Sequence, residues 1–349
     1  MEIKFFTVGC GDAISIRFLG NDAKYHNILI DGGTEFGDLY TNALKRKLQE
    51  IVDKEEIIDL WIITHIDDDH IGGILRFIKD EQIREQVDLT KTKFWFNYSN
   101  FDYDTGLKDN NLISVSQGIR LRDFLAQHSK IEDAITSKCS QIDFWGAKIS
   151  ILSPDNKKFN ELVKKRENKK IKIRERKSIG LTSSQSNDYE RKLEDFDLSK
   201  FKEDSSDENG VSIAFLFEHK GKKILFLSDS HPSVIVKSLI KLGYSKGKKI
   251  VVDYMQIAHH GSKRNTNDKL LQMIDCENFI ISADGYNKHN LPNKETLARI
   301  LKNYPCSRTK FFITHKNNLT DSIFDVDESV NNISFEFPES GANAIVINF

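Results

Sequence analysis

The sequence has few cysteines and no long apolar run, and these absences exclude several kinds of protein. Its four cysteines are Cys10, Cys139, Cys276 and Cys306, and no two of them form a CxxC pair. A structural zinc finger is therefore not expected, and a disulfide framework is not indicated. No apolar run approaches the roughly 20 residues that cross a bilayer. The first residues also lack the basic stretch followed by an apolar stretch that is typical of a signal peptide. We expect a cytoplasmic protein without a membrane partner.

Net charge is also nearly absent. The formal net charge is -1 over 349 residues, so no overall basic field draws the chain to nucleic acid, and such an affinity would need a local patch. Hydrophobic residues at 39% and charged residues at 30% are ordinary for a globular protein with a sizeable core. The length allows one large domain or two small ones, and we expect a single domain over residues 1–349.

Short apolar strands alternate with turns and helices along most of the chain. The clearest strand is Ile57–Thr64, which is apolar nearly throughout and ends directly at His65. Such a run is typical of a strand buried on both faces of a sheet. A helix is expected to begin near His70. This alternation agrees with an α/β fold.

Residues 156–209 interrupt this pattern with a charged insertion. A basic run extends from Lys164 to Lys177, a serine-rich patch follows, and an acidic stretch covers 204–208. A segment this polar cannot form a core, so we expect it on the surface, partly helical and partly flexible. It is either a solvated helical arm or a lid or basic clamp near the site mouth, which would suit a phosphate-rich substrate.

The strongest chemical signal is the run from His65 to His70, with Asp67 and Asp69 between the two histidines. Loops that follow buried strands project side chains into a crevice at the carboxyl end of the sheet. The carboxylates would repel one another without a cation between them. Histidine nitrogen and carboxylate oxygen suit zinc, manganese or iron. The alternative is a solvated acidic turn that caps a helix, but a cap needs only one Asp.

Two weaker signals come later in the chain. Asp229 follows an apolar strand, and His259-His260-Gly261-Ser262 follows another. An Asp at a strand end more often belongs to a turn, and a lone histidine is more often structural. Beside the histidine cluster, however, Asp229 becomes a candidate bridging carboxylate, and the histidine pair is expected to include a metal ligand.

In this order the motifs resemble those of the metallo-β-lactamase superfamily, and most closely the hydrolase domain of ComEC-type competence proteins and their free-standing relatives. An L-G-D element is matched only loosely, because Ser228 stands where glycine is common. The resemblance covers nearly the whole chain except the insertion. It implies a four-layer αβ/βα sandwich, with two mixed sheets face to face, helices outside and the site along one edge. The matching elements are V-G-x-G-D at 8–12, I-D-x-G at 30–33, H-x-D-x-D-H-I-G-G at 65–73, L-x-D at 227–229 and H-H-G-S at 259–262.

The resemblance further implies two divalent metal ions, zinc or manganese. One would be held by His65, Asp67 and Asp229, and the other by Asp69, His70, Asp229 and one histidine of the His259–His260 pair. Asp31 would orient a ligand histidine, and Asp12 would stabilise the first turn or the floor of the site. Asn209 stands where many members have a further histidine ligand, so one metal position would be poor in nitrogen and would favour manganese.

The function implied is that of a metal-dependent hydrolase, with a phosphodiesterase or nuclease as the leading hypothesis. Asp69 or Asp229 would orient the attacking hydroxide or take up its proton. Lys263 and Arg264 would neutralise a phosphate, unless they are an ordinary exposed basic pair. His289 is a further substrate-binding candidate, and a surface-loop histidine is an equal interpretation.

Two other functions remain open from the sequence. The first is hydrolysis of another small ester, such as a phosphocholine ester or a lactone. The second is a metal-binding regulatory protein with little catalysis. Its partner would be another protein, whereas the partner of a phosphodiesterase would be nucleic acid or another phosphodiester substrate.

Overall fold

The computed structural model describes residues 1–98, 113–139, 141–168, 187–305, 308–327 and 333–349. Two large sheets dominate this part of the chain. The first has seven strands in the order β17-β1-β2-β3-β4-β5-β6. Its strands are β1 (Glu2–Phe6), β2 (Ala13–Leu19), β3 (Tyr25–Asp31), β4 (Leu60–Ile63), β5 (Lys93–Phe96), β6 (Lys130–Glu132) and β17 (Ala344–Asn348).

The second sheet, within the same ranges, has eight strands in the order β16-β15-β14-β12-β10-β9-β8-β7. A separate ribbon pairs β11 (Ile250–Val251) with β13 (Ile274–Asp275) in parallel. The strands of the second sheet are β7 (Ile142–Phe144), β8 (Ala147–Ser153), β9 (Ala214–His219), β10 (Lys222–Phe226), β12 (Tyr254–Gln256), β14 (Asn278–Ile281), β15 (Thr309–Ile313) and β16 (Ile333–Glu336).

Both sheets are mixed in the same way. In the first, β1, β2, β3 and β17 pair antiparallel, whereas β3 to β6 pair in parallel. In the second, β7 to β10 pair antiparallel, and β10, β12, β14, β15 and β16 pair in parallel. The parallel halves matter for function because their strands end at one edge, where loops open into a crevice.

The helices cover the outer faces of the two sheets. A short π-helical turn, Thr41–Lys45, leads into the first of them. The helices of the described ranges are α1 (Arg46–Asp53), α2 (Asp68–Lys79), α3 (Glu81–Arg84), α4 (Ile113–His128), α5 (Asn156–Asn168), α6 (Pro232–Lys241), α7 (Asp268–Leu271), α8 (Lys294–Asn303) and α9 (Asn318–Asp321). None of them is both long and apolar enough to cross a membrane.

Three large hydrophobic clusters and one small one, among the described residues, fill the spaces between these layers. The central one joins the inner faces of the sheets, with Phe5 and Ile62 from one sheet and Phe215 and Phe226 from the other. A second cluster packs α1, α2 and α4 on the first sheet. A third packs α6 and α8 on the second sheet. The α/β architecture expected from the resemblance, a four-layer αβ/βα sandwich, is confirmed.

A close approach between α2 and the end of β3 brings two predicted site segments together. The backbone N–H of Gly73 donates to the carbonyl of Gly33 at 2.8 Å, and that of Gly32 donates to the carbonyl of His70 at 2.7 Å. A Cβ on Gly73 would lie 1.9 Å from the carbonyl oxygen of Gly32. Only glycine permits this contact, which sets His70 directly over Asp31.

The charged insertion at 156–209 differs from expectation in its second half. Its first part is helical, as predicted, but most of the basic run lies in 169–186, outside the described residues. Beyond it, Tyr189 and Phe196 are buried, at 4% and 7% exposure. The Asp188 carboxylate accepts hydrogen bonds from the backbone N–H groups of Lys294 and Glu295 at the start of α8. The expectation that the insertion lies on the surface is wrong for these residues, because apolar and capping side chains attach them to the helical layer of the second sheet.

Candidate metal centre

The predicted ligands converge at the edge where the parallel strands end. Asp31 is the last residue of β3, and His65 lies two residues after β4. Asp229 follows β10, and the His259–His260 pair follows β12. Because β3 pairs with β4 and β10 pairs with β12 in parallel, these loops emerge side by side on the facing sheets.

Asp229 lies at the centre, and each of its carboxylate oxygens faces two imidazole rings. Oδ2 lies 3.5 Å from His65 Nε2 and 3.5 Å from His259 Nε2. Oδ1 lies 3.5 Å from His70 Nε2 and 3.6 Å from His260 Nε2. Asp229 is buried, with an exposure of 2%. The four imidazole rings therefore form two pairs, and each pair faces a different oxygen of the Asp229 carboxylate.

The two remaining carboxylates of the motif extend these pairs. Asp67 Oδ2 lies 3.7 Å from His65 Nε2, and Asp69 Oδ2 lies 3.2 Å from His260 Nε2. We call the group of His65, Asp67 and His259 the Oδ2 side, and the group of Asp69, His70 and His260 the Oδ1 side. Each side offers two ring nitrogens and a carboxylate, besides its oxygen of Asp229.

A strained turn separates the adjacent histidines. His259, His260 and Gly261 have φ values of 51°, 54° and 86°, all in the left-handed region. Two consecutive non-glycine residues in this conformation are unusual and are held by their surroundings. The N–H of His259 donates to the carbonyl of Ser228 at 2.8 Å, which fixes the turn to the loop that carries Asp229. The turn sends the neighbouring rings to opposite oxygens of one carboxylate.

Hydrogen bonds at the far nitrogens fix how the rings face the centre. His70 Nδ1 lies 2.8 Å from Asp31 Oδ2, and His259 Nδ1 lies 3.1 Å from Asn265 Oδ1. Both oxygens can only accept, so each Nδ1 carries the hydrogen, and each Nε2 presents a lone pair to the centre when the ring is neutral. This is the arrangement in which a partner group orients a metal-ligating histidine.

Two residues of this centre, Asn265 and Asp204, were not predicted from the sequence. Asn265 is fully buried, and its amide also donates to the carbonyl of Asp229 at 3.1 Å. Asp204 Oδ2 accepts from Asn209 Nδ2 at 2.7 Å and lies 3.5 Å from His259 Nδ1. Asn265 follows His259 by only six residues, which is a weak signal. No local signal distinguishes Asp204, because it belongs to the acidic end of the insertion.

The charges of the centre are strongly coupled. Burial lowers the pKa of His70, but the carboxylates of Asp229, Asp31 and Asp69 outweigh it and hold that pKa well above its usual value. Burial likewise lowers the pKa of His259, but Asp229 and Asp204 outweigh it and bring that pKa to about 9. Burial raises the pKa of Asp229, but the surrounding imidazoles outweigh this and hold it well below its usual range.

The atoms at the centre fit a pair of cations. His65 Nε2 and Asp229 Oδ1 are buried without a hydrogen-bond partner among the described residues. His70 Nε2 and His260 Nε2 lie only 3.3 Å apart, so two lone pairs would face each other without a cation or proton between them. Ligand atoms of His65, His70 and Asp229 lie within 4.8 Å of one another, as do those of Asp69, His70 and His260. This donor set suits zinc or manganese.

The other predicted residues lie around the centre. Asp12 is buried at its floor, with Oδ2 4.0 Å from His70 Nδ1, and its N–H donates to the carbonyl of Asp69. Asn209 is buried beside His259, with Nδ2 3.4 Å from Nδ1 of that ring. Lys263 and Arg264 are exposed, and Lys263 Nζ lies 3.7 Å from Glu295 Oε2.

His289 is exposed on the loop between β14 and α8. Burial and the charges of Lys288 and His259 lower the pKa of His289. No hydrogen bond joins its ring to the centre among the described residues.

Comparisons with solved structures give distant likenesses. The chain is similar to Zn2+-bound PqqB from Methylobacterium extorquens, at 10% identity and a TM-score of 0.43. This alignment covers 100% of each of the two chains. The chain covers 96% of unliganded yeast PDE1 over 96% of its own length, at 11% identity and a TM-score of 0.43. It is also similar over 99% of its length to a long form of RNase Z from yeast, at 11% identity and a TM-score of 0.40, but spans only 41% of that chain.

No family model and no curated protein matches the chain. The identities and TM-scores of these structural likenesses are low, so they assign no activity to the chain.

Proposed function

We propose that this chain is a metal-dependent hydrolase with a dinuclear centre, and that it cleaves phosphodiesters, including those of nucleic acids. The observation that carries the proposal is the position of Asp229, whose two oxygens each face two imidazole Nε2 atoms. A carboxylate placed in this way is suited to bridge two cations. Its Oδ1 makes no hydrogen bond within the described residues.

The two sides would hold one cation each. His65, His259, Asp67 and Oδ2 of Asp229 would hold the first, and His70, His260, Asp69 and Oδ1 of Asp229 the second. When bound, divalent zinc or manganese lowers the pKa of a water molecule and neutralises charge on a phosphoryl group. The protein's part is to hold the donor atoms in place.

His259 changes the expectation about nitrogen ligands. Asn209 stands in for a histidine on the Oδ2 side, which predicted a nitrogen-poor position. In the fold, however, His259 Nε2 reaches the same oxygen of Asp229 as His65 does. Both positions then have two nitrogens, so we expect zinc to bind both sides, with manganese as the alternative metal.

Asp69 and Asp229 would have different roles in the reaction. Asp229 is buried and would contribute an oxygen to each cation, so it has little access to substrate. The Asp69 side chain is 36% exposed. Burial raises the pKa of Asp69, but His70 and His260 outweigh this and hold it below its usual value. With its side chain partly exposed, Asp69 is the carboxylate that could reach and orient the attacking water.

Basic residues near the mouth support a phosphate-containing substrate. Lys263 and Arg264 follow the His259–Ser262 turn directly and are exposed, so they can approach a phosphate of a long substrate. Lys263 also pairs with Glu295, which leaves Arg264 as the stronger candidate. ComEC-type competence hydrolases, which the motifs resemble, suggest nucleic acid as that substrate.

The test combines metal content with hydrolysis. Protein never exposed to chelator is examined by elemental analysis and is assayed on bis-p-nitrophenyl phosphate and single-stranded DNA with added zinc or manganese. We expect about two metals per chain, as a dinuclear site requires. Cleavage should be lost in His70→Ala but kept in His128→Ala, a matched change of an exposed histidine on α4.

Other outcomes would favour the other functions. Bound metal with hydrolysis of a phosphocholine ester or lactone, and none of the phosphodiesters, would indicate a small-ester hydrolase. Bound metal with no hydrolysis of any of these would support a metal-binding regulatory protein. Absence of metal from the wild-type protein would contradict the dinuclear centre itself.

A further inference from the structure

Two hydroxyl side chains lie behind the centre, and neither is a candidate metal ligand. Thr64 precedes His65, and Ser228 precedes Asp229. Both are buried, with exposures of 2% and 3%. Ser228 Oγ donates to Thr64 Oγ1 at 2.9 Å, and Thr64 Oγ1 donates to Asp31 Oδ2 at 2.6 Å. These contacts join the two sheets just beneath the metal ligands.

The direction of these bonds determines the tautomer of His65. Thr64 has one hydroxyl hydrogen, and it is given to Asp31, which as a carboxylate can only accept. The third neighbour of Thr64 Oγ1 is His65 Nδ1 at 3.1 Å, so the hydroxyl must accept there. His65 Nδ1 therefore carries a hydrogen, and Nε2 presents its lone pair to Oδ2 of Asp229.

Asp31 therefore orients two imidazole rings, those of His70 and His65. It accepts directly from His70 Nδ1 at 2.8 Å, and it acts on His65 through the hydroxyl of Thr64. Its other oxygen accepts from the backbone N–H of Thr64 at 2.8 Å. One buried carboxylate thus orients a histidine on each side of Asp229.

The backbone of Ser228 indicates that its hydroxyl matters. Its φ is 43°, in the left-handed region where a side chain causes strain and glycine does not. A serine kept in this conformation costs stability that glycine would not, and its hydroxyl makes the bond to Thr64. Strain of this kind is found where the surroundings hold it for a function.

We propose that Thr64 and Ser228 are positioning residues, whose hydroxyl chain to Asp31 holds His65 in the tautomer that offers Nε2 to a metal ion. This proposal rests on the dinuclear centre proposed above. It assigns the Oδ2 side a hydroxyl-mediated support, whereas His70 on the Oδ1 side is supported by the carboxylate directly.

The test measures metal affinity and the His65 tautomer in four variants. Thr64→Val removes the hydroxyl at nearly constant shape, and Thr64→Ser restores it. Ser228→Ala removes the donor, and Ser228→Gly removes both the donor and the strain. Calorimetric titration of metal-free protein with Zn2+ gives the affinity of each position. Nitrogen-15 spectra of histidine-labelled, metal-free protein at mildly alkaline pH give the tautomer, with His65 assigned from a His65→Asn variant.

We expect Thr64→Val to weaken one of the two positions about 10–100-fold, as loss of a ligand-orienting group does, and Thr64→Ser to restore it. Ser228→Gly should also weaken that position while the metal-free protein unfolds at an unchanged or higher temperature, which a merely structural role would not produce. Nδ1-protonated His65 should give way to a tautomer mixture in Thr64→Val.

Wild-type affinity at both positions in Thr64→Val and Ser228→Gly, or an unchanged His65 tautomer in both, would overturn the proposal. If the tautomer changes as expected but the wild-type protein binds no metal, the hydroxyl chain is confirmed and the dinuclear centre fails instead.

Discussion

His70 Nδ1 and Asp31 Oδ2 lie 2.8 Å apart, and both side chains are completely buried. They are separated by 39 positions in the chain, and they meet because α2 packs against the end of β3 through Gly32 and Gly73. Their contact leaves His70 Nε2 directed at Asp229. The orientation of His70 in the candidate centre is therefore set by backbone packing at Gly32 and Gly73, which are not candidate ligands.

Asp31→Asn should weaken metal binding on both sides of Asp229. The change removes the charge that orients His70 directly and His65 through Thr64. Loss of such a partner costs about 10–100-fold in metal affinity, and calorimetric titration would measure it. Asp59→Asn is the matched control, because Asp59 is also buried and lies 3.0 Å from His26 Nδ1 at the other end of β3. If both variants lost metal affinity equally, the effect would be one of general stability.

Gly73→Ala should destabilise the fold and disturb the centre together. The added methyl would meet the Gly32 carbonyl at 1.9 Å, so α2 must move away from β3, at a cost of about 1–3 kcal/mol. Urea denaturation would measure the stability and titration the metal affinity. Gly247→Ala is the control, since its Cβ would meet nothing within 4 Å. A Gly73→Ala protein with wild-type stability and affinity would contradict the role given to this contact.

Asn265→Leu should impair the Oδ2 side selectively. The variant cannot accept the hydrogen of His259 Nδ1, so that ring loses its orientation toward Asp229. We expect one of the two positions to weaken about 10-fold or more, while the position of His70 and His260 changes little. Asn317→Leu removes the N-cap of α9, and it should lower stability by about 1 kcal/mol without altering metal binding. Equal weakening of both positions in Asn265→Leu would count against a separate Oδ2 side.

Ionised Glu50 should stabilise the folded protein, and this stabilisation should depend on pH between the pKa of Glu50 in the unfolded state and its lower pKa in the folded state. Burial raises the pKa of Glu50, but hydrogen bonds from Lys54 and Lys4 outweigh it and bring that pKa to about 2. A folded-state pKa below the unfolded value of 4.5 means that the stabilisation is present above pH 4.5 and is lost as the pH falls toward 2.

Glu50→Gln should therefore be less stable than wild type by about 1 kcal/mol at neutral pH, a figure reduced for the screening of a partly exposed group. The difference should narrow as the pH falls below the unfolded-state pKa. Thermal unfolding of both proteins across the acid range measures it, and a difference that stays constant with pH would show that the charge of Glu50 is not responsible.

The sequence alone was sufficient to predict those features of the protein that depend on residues close together in the chain. The apolar run before His65 predicted a buried strand because its periodicity is local, and the alternation of Asp67 and Asp69 between two histidines predicted ligands because like charges need a cation. The motif order was enough to expect two sheets with helices outside, and that architecture is confirmed.

Only the tertiary structure decided how the site is divided and supported. The sequence could not assign His259 and His260 to opposite oxygens of Asp229, because that depends on a left-handed turn held by the loop of Ser228. Nor could it connect Asp204 to His259, or Ser228 to Thr64, since these contacts join segments that are far apart in the chain. Ligand types are determined by local chemistry, whereas their orientation is determined by hydrogen bonds between distant parts of the chain.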